Sequence, residues 1–382
     1  MRTPGVVCLA MLFAQTVLAQ HHEMHTMSKS GWQAAFAGTA FVQYVQTFDT
    51  RGAYQFGSVN RVMLHATGPG AGGTVGLHVM GSAELLTLGA RGAPQLLQAA
   101  FHANGEMVTD HVHPSPWLME LAGSYDAVLS EDLAVSFYAA AIGEPVLGPP
   151  VYLHRASATA NPVVPLGHHL QDDTHSSYGV LSYGMRWPGV QLELSAFNDR
   201  QPEEVGPVFY YDGARLDASA GRATISAGKG WSLFGTYGYM PATTGGHAHD
   251  AQHRIGVGAL RDAKPWSLSI VYAANNPVGA AGPRHSLLAE GQWEGADRSA
   301  LYFRVEYVQR TAEELALVGS ISAIQDIESM QVGYSRALAS RGTVVGRLGA
   351  HITVDLVGLQ LEPFYGMATP FGIAVYGELT AP

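Results

Sequence analysis

From Leu181 to Ala196 apolar and polar residues alternate with a period of two, and the alternation breaks once, at Pro188-Gly189. Leu181, Tyr183, Met185 and Trp187 share one face, with Ser182, Gly184 and Arg186 between them. Beyond the break, Val190, Leu192, Leu194 and Ala196 alternate with Gln191, Glu193 and Ser195. Period two means strands, and so short a break means an antiparallel hairpin. The pattern recurs from one end of the chain to the other. A chain that keeps one apolar and one polar face throughout fits a closed barrel, with lipid outside and a polar lumen inside.

The predicted strands begin at Trp32–Gln46, Gln55–Thr67, Thr74–Leu86, Pro116–Leu129 and Glu131–Glu144, ahead of the hairpin. After it come Ala214–Ser226, Lys229–Met240, Gln252–Asp262, Pro265–Asn275, Arg284–Trp293, Ser299–Gln309, Ile327–Leu338, Thr343–Asp355 and Phe371–Thr380. The expected fold is therefore all-β: a transmembrane antiparallel barrel of about sixteen strands, with fourteen as the alternative count. The connections alternate short and long, which suits short periplasmic turns and long external loops. Trp187, Trp231, Trp266 and Trp293 each stand beside a short turn, and Trp32 lies at the same level. That is the placing of an interfacial aromatic girdle.

Composition closes off other classes. Hydrophobic residues make up 47% and charged residues 14%, yet no apolar run long enough for a membrane helix follows the first 20 residues. The formal net charge of −10 argues against a nucleic-acid partner. Residues 1–19 read as a signal peptide: Arg2 is followed by the apolar core Val6–Ala19, and Val17-Leu18-Ala19 offers a cleavage site. Cys8, the single cysteine, lies within it. Residues 20–31 form a Met/His-rich arm expected in the periplasm, and 32–382 form the barrel.

Parity along the strands assigns Arg186, Glu290, Gln292, Tyr302, Arg304, Glu306, Arg347 and His351 to the lumen. The long 145–173 connection carries Arg155, His168, His169, Asp172 and Asp173, with His175 just beyond. Pro149, Pro150, Pro162 and Pro165 stiffen it. Folded inward, it would pair with wall residues such as Arg186, Glu290 or Arg304 and narrow the channel. For metals, the arm offers His21, His22, Met24, His25 and Met27, a soft set suited to copper or another transition metal. His111 and His113 would point the same way in an extended segment, which suits one ion. His247, His249 and His253 form a further cluster. There is no nucleophile elbow, phosphate-binding glycine loop or two-histidine metalloprotease motif.

The segment Gly143–Val180, GEPVLGPPVYLHRASATANPVVPLGHHLQDDTHSSYGV, resembles a family of uncharacterised bacterial outer-membrane β-barrels. These carry a similar series of GEPxLGP, HRxSA, NPxxPLGHH and DxTHxSxGV motifs. An HPHD-like stretch precedes the series, here at Asp110–Pro114, and so does MELA at Met119–Ala122. The resemblance implies the barrel and its outer-membrane location, and no activity. In composition the arm also looks like that of copper-resistance outer-membrane proteins. One departure is that such barrels usually end on an aromatic residue, whereas this chain reads Glu378-Leu379-Thr380-Ala381-Pro382.

Two functions are open on these grounds. The first is a porin-like channel, passive or metal-linked, with the 145–173 loop in the lumen. Its partners would be membrane lipid, the barrel-assembly machinery and small solutes or metal ions. The second is a filled barrel acting as an outer-membrane hydrolase or surface-binding scaffold, the hydrolase requiring a Ser–His pair at the lipid face.

Overall fold

The computed structural model describes residues 31–202, 215–243, 249–279, 282–317 and 324–381, the side chain of Asp173 excepted. Sixteen antiparallel strands close into one barrel. They are β1 (Gln33–Phe48), β2 (Tyr54–Gly70), β3 (Gly73–Gly81), β4 (Leu118–Val128), β5 (Ala134–Gly143), β6 (Ser177–Trp187), β7 (Val190–Asn198) and β8 (Ala218–Gly228). The second half is β9 (Trp231–Met240), β10 (Gln252–Ala263), β11 (Trp266–Pro277), β12 (Arg284–Glu294), β13 (Ala300–Thr311), β14 (Ile324–Arg341), β15 (Val344–Val357) and β16 (Phe371–Ala381). Each strand pairs with its sequence neighbour, and β16 returns to β1, with Phe48 opposite Phe371 and Gly38 opposite Ala381. Closure leaves no edge strand and satisfies the backbone within the sheet, the condition for a sheet to stand in lipid. The count is sixteen, not fourteen.

One end of the barrel is closed by the short turns 71–72, 129–133, 188–189, 229–230, 264–265, 295–299 and 342–343. The 188–189 turn needs a left-handed residue, and Gly189 supplies it at φ 78°. The other end carries the connections 82–117, 144–176, 199–217, 241–251, 312–323 and 358–370, and two briefer ones at 49–53 and 278–283.

Strand parity sets what each face meets. In β7, Leu192 and Leu194 are exposed while Glu193 and Ser195 are buried. In β12 and β13, Leu287, Leu301, Phe303 and Val305 are exposed, whereas Glu290, Gln292, Tyr302, Arg304 and Glu306 are buried. An apolar surface running round the whole wall has no use in water and suits lipid. Trp266 and Trp293 are register partners beside the short turns. Trp32 lies against Gly68, where a Cβ would come within 2.7 Å of its indole, so the glycine lets the ring lie on the wall.

The third strand is shorter than the expected Thr74–Leu86. It stops at Gly81, and Glu84–Thr87 forms a helical turn. The chain folds inward there because the Glu84 carboxylate accepts from the backbone N–H of Asn60 (3.2 Å) and Ser115 (2.7 Å). The 82–117 connection also carries two small ribbons, Ala93–Pro94 with His111–Val112 and Phe101–Ala103 with Glu106–Val108. It packs over the long-loop end together with three other connections. Leu96 and Leu97 meet Leu166 and Leu170, Leu315, and Leu361 and Tyr365, against Val308 and Ile327 of the wall.

Candidate functional site

The 144–176 loop lies inside the barrel, and its hydrogen bonds show how it is held. Its first stretch crosses to β7 and β9: the Val146 N–H donates to Ser195 Oγ (3.0 Å) and the Gly148 N–H to Thr236 Oγ1 (3.3 Å). Gly148 has φ +81°, and a Cβ there would meet the Gln171 carbonyl at 2.0 Å. Only glycine lets the two limbs of the loop approach so closely.

The middle of the loop faces β11, β12 and β13. Arg155 Nε donates to Glu290 Oε1 at 2.8 Å, and Arg155 Nη1 to Asp172 Oδ2 at 2.8 Å. Glu290 receives a second guanidinium from the wall, Arg304, through Nε at 2.9 Å. The side chains of Arg155, Asp172, Glu290 and Arg304 are all nearly sealed from solvent. Burial works against the charge of Arg155, but Glu290 and Asp172 outweigh it and hold its pKa above the ordinary value. Ser157 Oγ adds a bond to Glu290 (3.0 Å) and one with Ser269 Oγ (2.6 Å). Two carboxylates balance two guanidiniums, and the Ser157 hydroxyl gives Glu290 a further bond, which is how charge is tolerated away from water.

The descending limb is pinned through its backbone. Gln292 Oε1 accepts from the Ala160 N–H (2.8 Å), and Arg304 Nη1 donates to the Val163 carbonyl (2.6 Å). The Glu306 carboxylate takes the N–H groups of Leu166 (3.0 Å) and Gly167 (2.9 Å), and Arg310 donates to the Leu166 carbonyl. Asn161 Nδ2 donates to Gln331 on β14 (2.6 Å). On the opposite side, Arg61 of β2 donates to the Leu153 carbonyl (3.3 Å). The loop thus bridges from one wall to the other. A barrel of this size holds water unless a segment fills it. Here the 144–176 segment occupies the cross-section, and the space left beside it runs along β1 and β13–β16.

Similar architecture occurs in solved structures. An anion-selective porin from Comamonas acidovorans superposes with a TM-score of 0.56 at 12% identity, over 91% of this chain and 99% of that one. Salmonella typhi OmpF, in complex with daunomycin, gives 0.55 at 13% identity over 92% and 98%. Pseudomonas putida OprB gives 0.56 at 11% identity over 92% and 94%. The fold is that of the outer-membrane porins. No family model and no curated protein matches the sequence.

Within this porin-like barrel the candidate residues are distributed unevenly. Arg155, Asp172, Glu290, Arg304 and Glu306 converge on the loop–wall contact described above. His168 Nδ1 lies 2.5 Å from Asp172 Oδ1, so it joins the same network from the loop side. His175 packs against His168, with ring centroids 5.1 Å apart, and its Nδ1 lies 3.2 Å from the Asp172 carbonyl. Burial pushes the His175 pKa down to about 4, and His168 adds to the fall. His169 lies between His168 and His113, with ring centroids 5.5 and 5.9 Å away. Arg186 does not join the loop. It stands next to the 188–189 turn, and its charged neighbours are Asp126 and Glu193 of the lower wall.

His111 and His113 are not brought to one point. His111 Nδ1 is bonded with the Thr109 carbonyl (2.8 Å), while His113 lies against Phe101 and His169. His249 pairs with Asp199 (3.0 Å) and His253 lies against Tyr237 and Tyr239, so that cluster is dispersed too. The signal segment, the arm residues His21, His22, Met24, His25 and Met27, and His247 lie outside the described residues, as does the Asp173 side chain. Among the described residues one group of three His, Asp or Glu donors comes together: His65, His78 and Glu120 on β2, β3 and β4. Sequence reasoning passed over it. Each residue has lumen parity, but only the pairing register makes them neighbours.

Proposed function

We propose that the chain is a narrow channel of the bacterial outer membrane for ions and small polar solutes, metal ions among them. The 144–176 loop acts as a fixed constriction, and the long connections face the outside. The observation that carries the reading is the Arg155–Glu290–Arg304 contact, which ties the loop to the wall by charges on both sides. A loop held so is a permanent narrowing rather than a mobile flap, because removing one buried partner costs several kcal/mol, roughly 3–5. The space beside the loop is lined by polar Gln43, Thr47, Gln331, His351, Arg304 and Glu306 of the wall, and by apolar Leu96, Val112, Val164 and Leu166 on the loop side. Its immediate partners are membrane lipid and the barrel-assembly machinery.

The scaffold reading draws on a different observation, the near-complete burial of Arg155, Ser157, His168 and Asp172 within the lumen. A hydrolase would need a Ser–His pair at the lipid face, and the His78–Ser124 pair at 3.0 Å faces the lumen instead. Single-channel recording in planar bilayers separates the two. The channel reading expects a small, steady conductance that rises when residues 156–164 are deleted from a normally assembled barrel. A silent wild-type protein whose deletion variant conducts is a scaffold with a filled lumen. Equal, large conductance in both places the loop outside the pore.

A further inference from the structure

Two histidines face each other across the β2–β3 ladder. His65 and His78 are register partners, and both point into the lumen. Their ring centroids are 4.8 Å apart. Glu120 stands one lumenal step away on β4, opposite Met80. One donor atom from each of the three lies within 4.8 Å of the others. Elsewhere on this wall a carboxylate meets a guanidinium, as in Glu193–Arg222 (2.9 Å) and Glu378–Arg347 (2.6 Å). At Glu120 the neighbours include two imidazoles and a phenol.

We propose that His65, His78 and Glu120 form a binding site for one first-row divalent transition cation on the lumenal wall. Two imidazoles and a carboxylate suit Zn²⁺ and the ions near it in the series, whereas Ca²⁺ and Mg²⁺ take oxygen donors throughout. Metal–donor bonds of about 2.0–2.1 Å in a tetrahedral shell hold donors about 3.4 Å apart. Side-chain rotations closing the gap by up to about 1.4 Å meet that requirement, and the strand ladders fix the three backbones meanwhile.

The outer partners are already in place. Tyr138 donates to Glu120 Oε1 at 2.8 Å, which orients the carboxylate. Ser124 Oγ lies 3.0 Å from His78 Nε2, which fixes the orientation of the ring. Partners of this kind commonly tune affinity tenfold or more. Three protein ligands leave a coordination position for water. His78 and Glu120 are buried, while His65 is exposed and by parity its exposure is to the lumen. The site therefore opens on the lumenal side of the wall. The next step towards the loop is the Met63–Met80 pair, which packs with Tyr152 and Leu153 of the 144–176 segment. An ion held there would sit directly beside the constriction. The inference goes beyond the channel reading and stands if the barrel conducts nothing.

The test is calorimetric titration of the full mature chain, folded in detergent, with Zn²⁺, paired with visible absorption after Co²⁺ addition. Histidines of the arm can take up metal too, so the readout is the difference between variants. Wild type is expected to bind one equivalent more than His78→Ala or Glu120→Gln, with a Co²⁺ band that both variants lose. Ser124→Ala is expected to weaken that equivalent about tenfold without abolishing it. Folding is verified by heat-modifiable migration. If His78→Ala fails to assemble, His65→Asn at the exposed ring serves in its place. Identical Zn²⁺ isotherms and Co²⁺ spectra in wild type and assembled variants overturn the proposal, and so does the absence of any binding by wild type.

Discussion

Arg155 of the lumenal loop and Glu290 of β12 are 135 residues apart in sequence and meet at 2.8 Å, with both side chains 1% exposed. Arg155 reaches Asp172 of its own loop at the same distance, so one guanidinium ties the two limbs together and fastens both to the wall.

Replacing Arg155 with alanine should therefore free the loop while sparing the barrel. Glu290 keeps Arg304, and Asp172 keeps His168, so neither carboxylate is left wholly uncompensated. The expected local cost is about 2–4 kcal/mol, at or below the range for breaking a buried pair. Planar-bilayer recordings should show larger and noisier conductance than wild type, with normal heat-modifiable migration on gels. A quiet trace of wild-type size would mean that Gln292, Glu306 and the backbone bonds hold the loop unaided.

The lipid face offers a second check. Leu194 is exposed at the middle of β7, so Leu194→Arg should cost roughly 2–4 kcal/mol of barrel stability in lipid, the range for arginine near mid-bilayer. Its neighbour Glu193 is a poor control, because it is ion-paired with Arg222 (2.9 Å) and an arginine there would face another arginine. Ser267 is better placed: it faces the lumen opposite Asp262 on β10, and Ser267→Arg should cost under about 1 kcal/mol. Urea titration of the barrels in lipid vesicles measures both. Equal losses would contradict the assignment of faces.

These contrasts show what the sequence carries. Alternation alone located nearly every strand, because in a barrel each residue meets either lipid or lumen, and a single substitution type marks each. It overran at Leu85-Leu86, where Glu84 draws the chain inward by bonding to Asn60 and Ser115, partners that no local pattern names. Parity likewise put Glu290, Arg304 and Glu306 in the lumen, but not which loop atoms each would meet. Arg186 faces in as they do, yet its position beside a turn keeps it below the loop. His65, His78 and Glu120 stayed hidden for the same reason. Proximity across strands depends on register, and register follows from closure of the whole sheet.

Sidedness follows from connection length. Short epitope tags placed after Gly189 or Gly295 should be hidden from antibody in intact cells, since both sit in tight turns at one end. Tags after Gly279 or Leu359, at the opposite end, should be labelled without permeabilisation. Labelling of all four, or of the first pair alone, would reverse or remove the proposed orientation.

The last prediction concerns acid. His175 lies at the end of the lumenal loop, facing His168, Asp172 and Glu144, and burial holds its pKa near 4. An unfolded histidine titrates at about 6.5. The folded value is the lower one, so the fold favours the neutral ring. Its contribution is complete above about pH 6.5 and is lost as the pH falls from there towards 4. Over that window the loop should lose up to about 3 kcal/mol of local stability, taking 1.36 kcal/mol per unit. His175→Gln keeps a polar side chain that does not titrate, and should flatten the profile between pH 6.5 and 4. Hydrogen exchange of residues 172–176, followed against pH in both proteins, is the measurement. Parallel profiles would show that the carboxylates of the network, rather than the His175 ring, set the acid response of the loop.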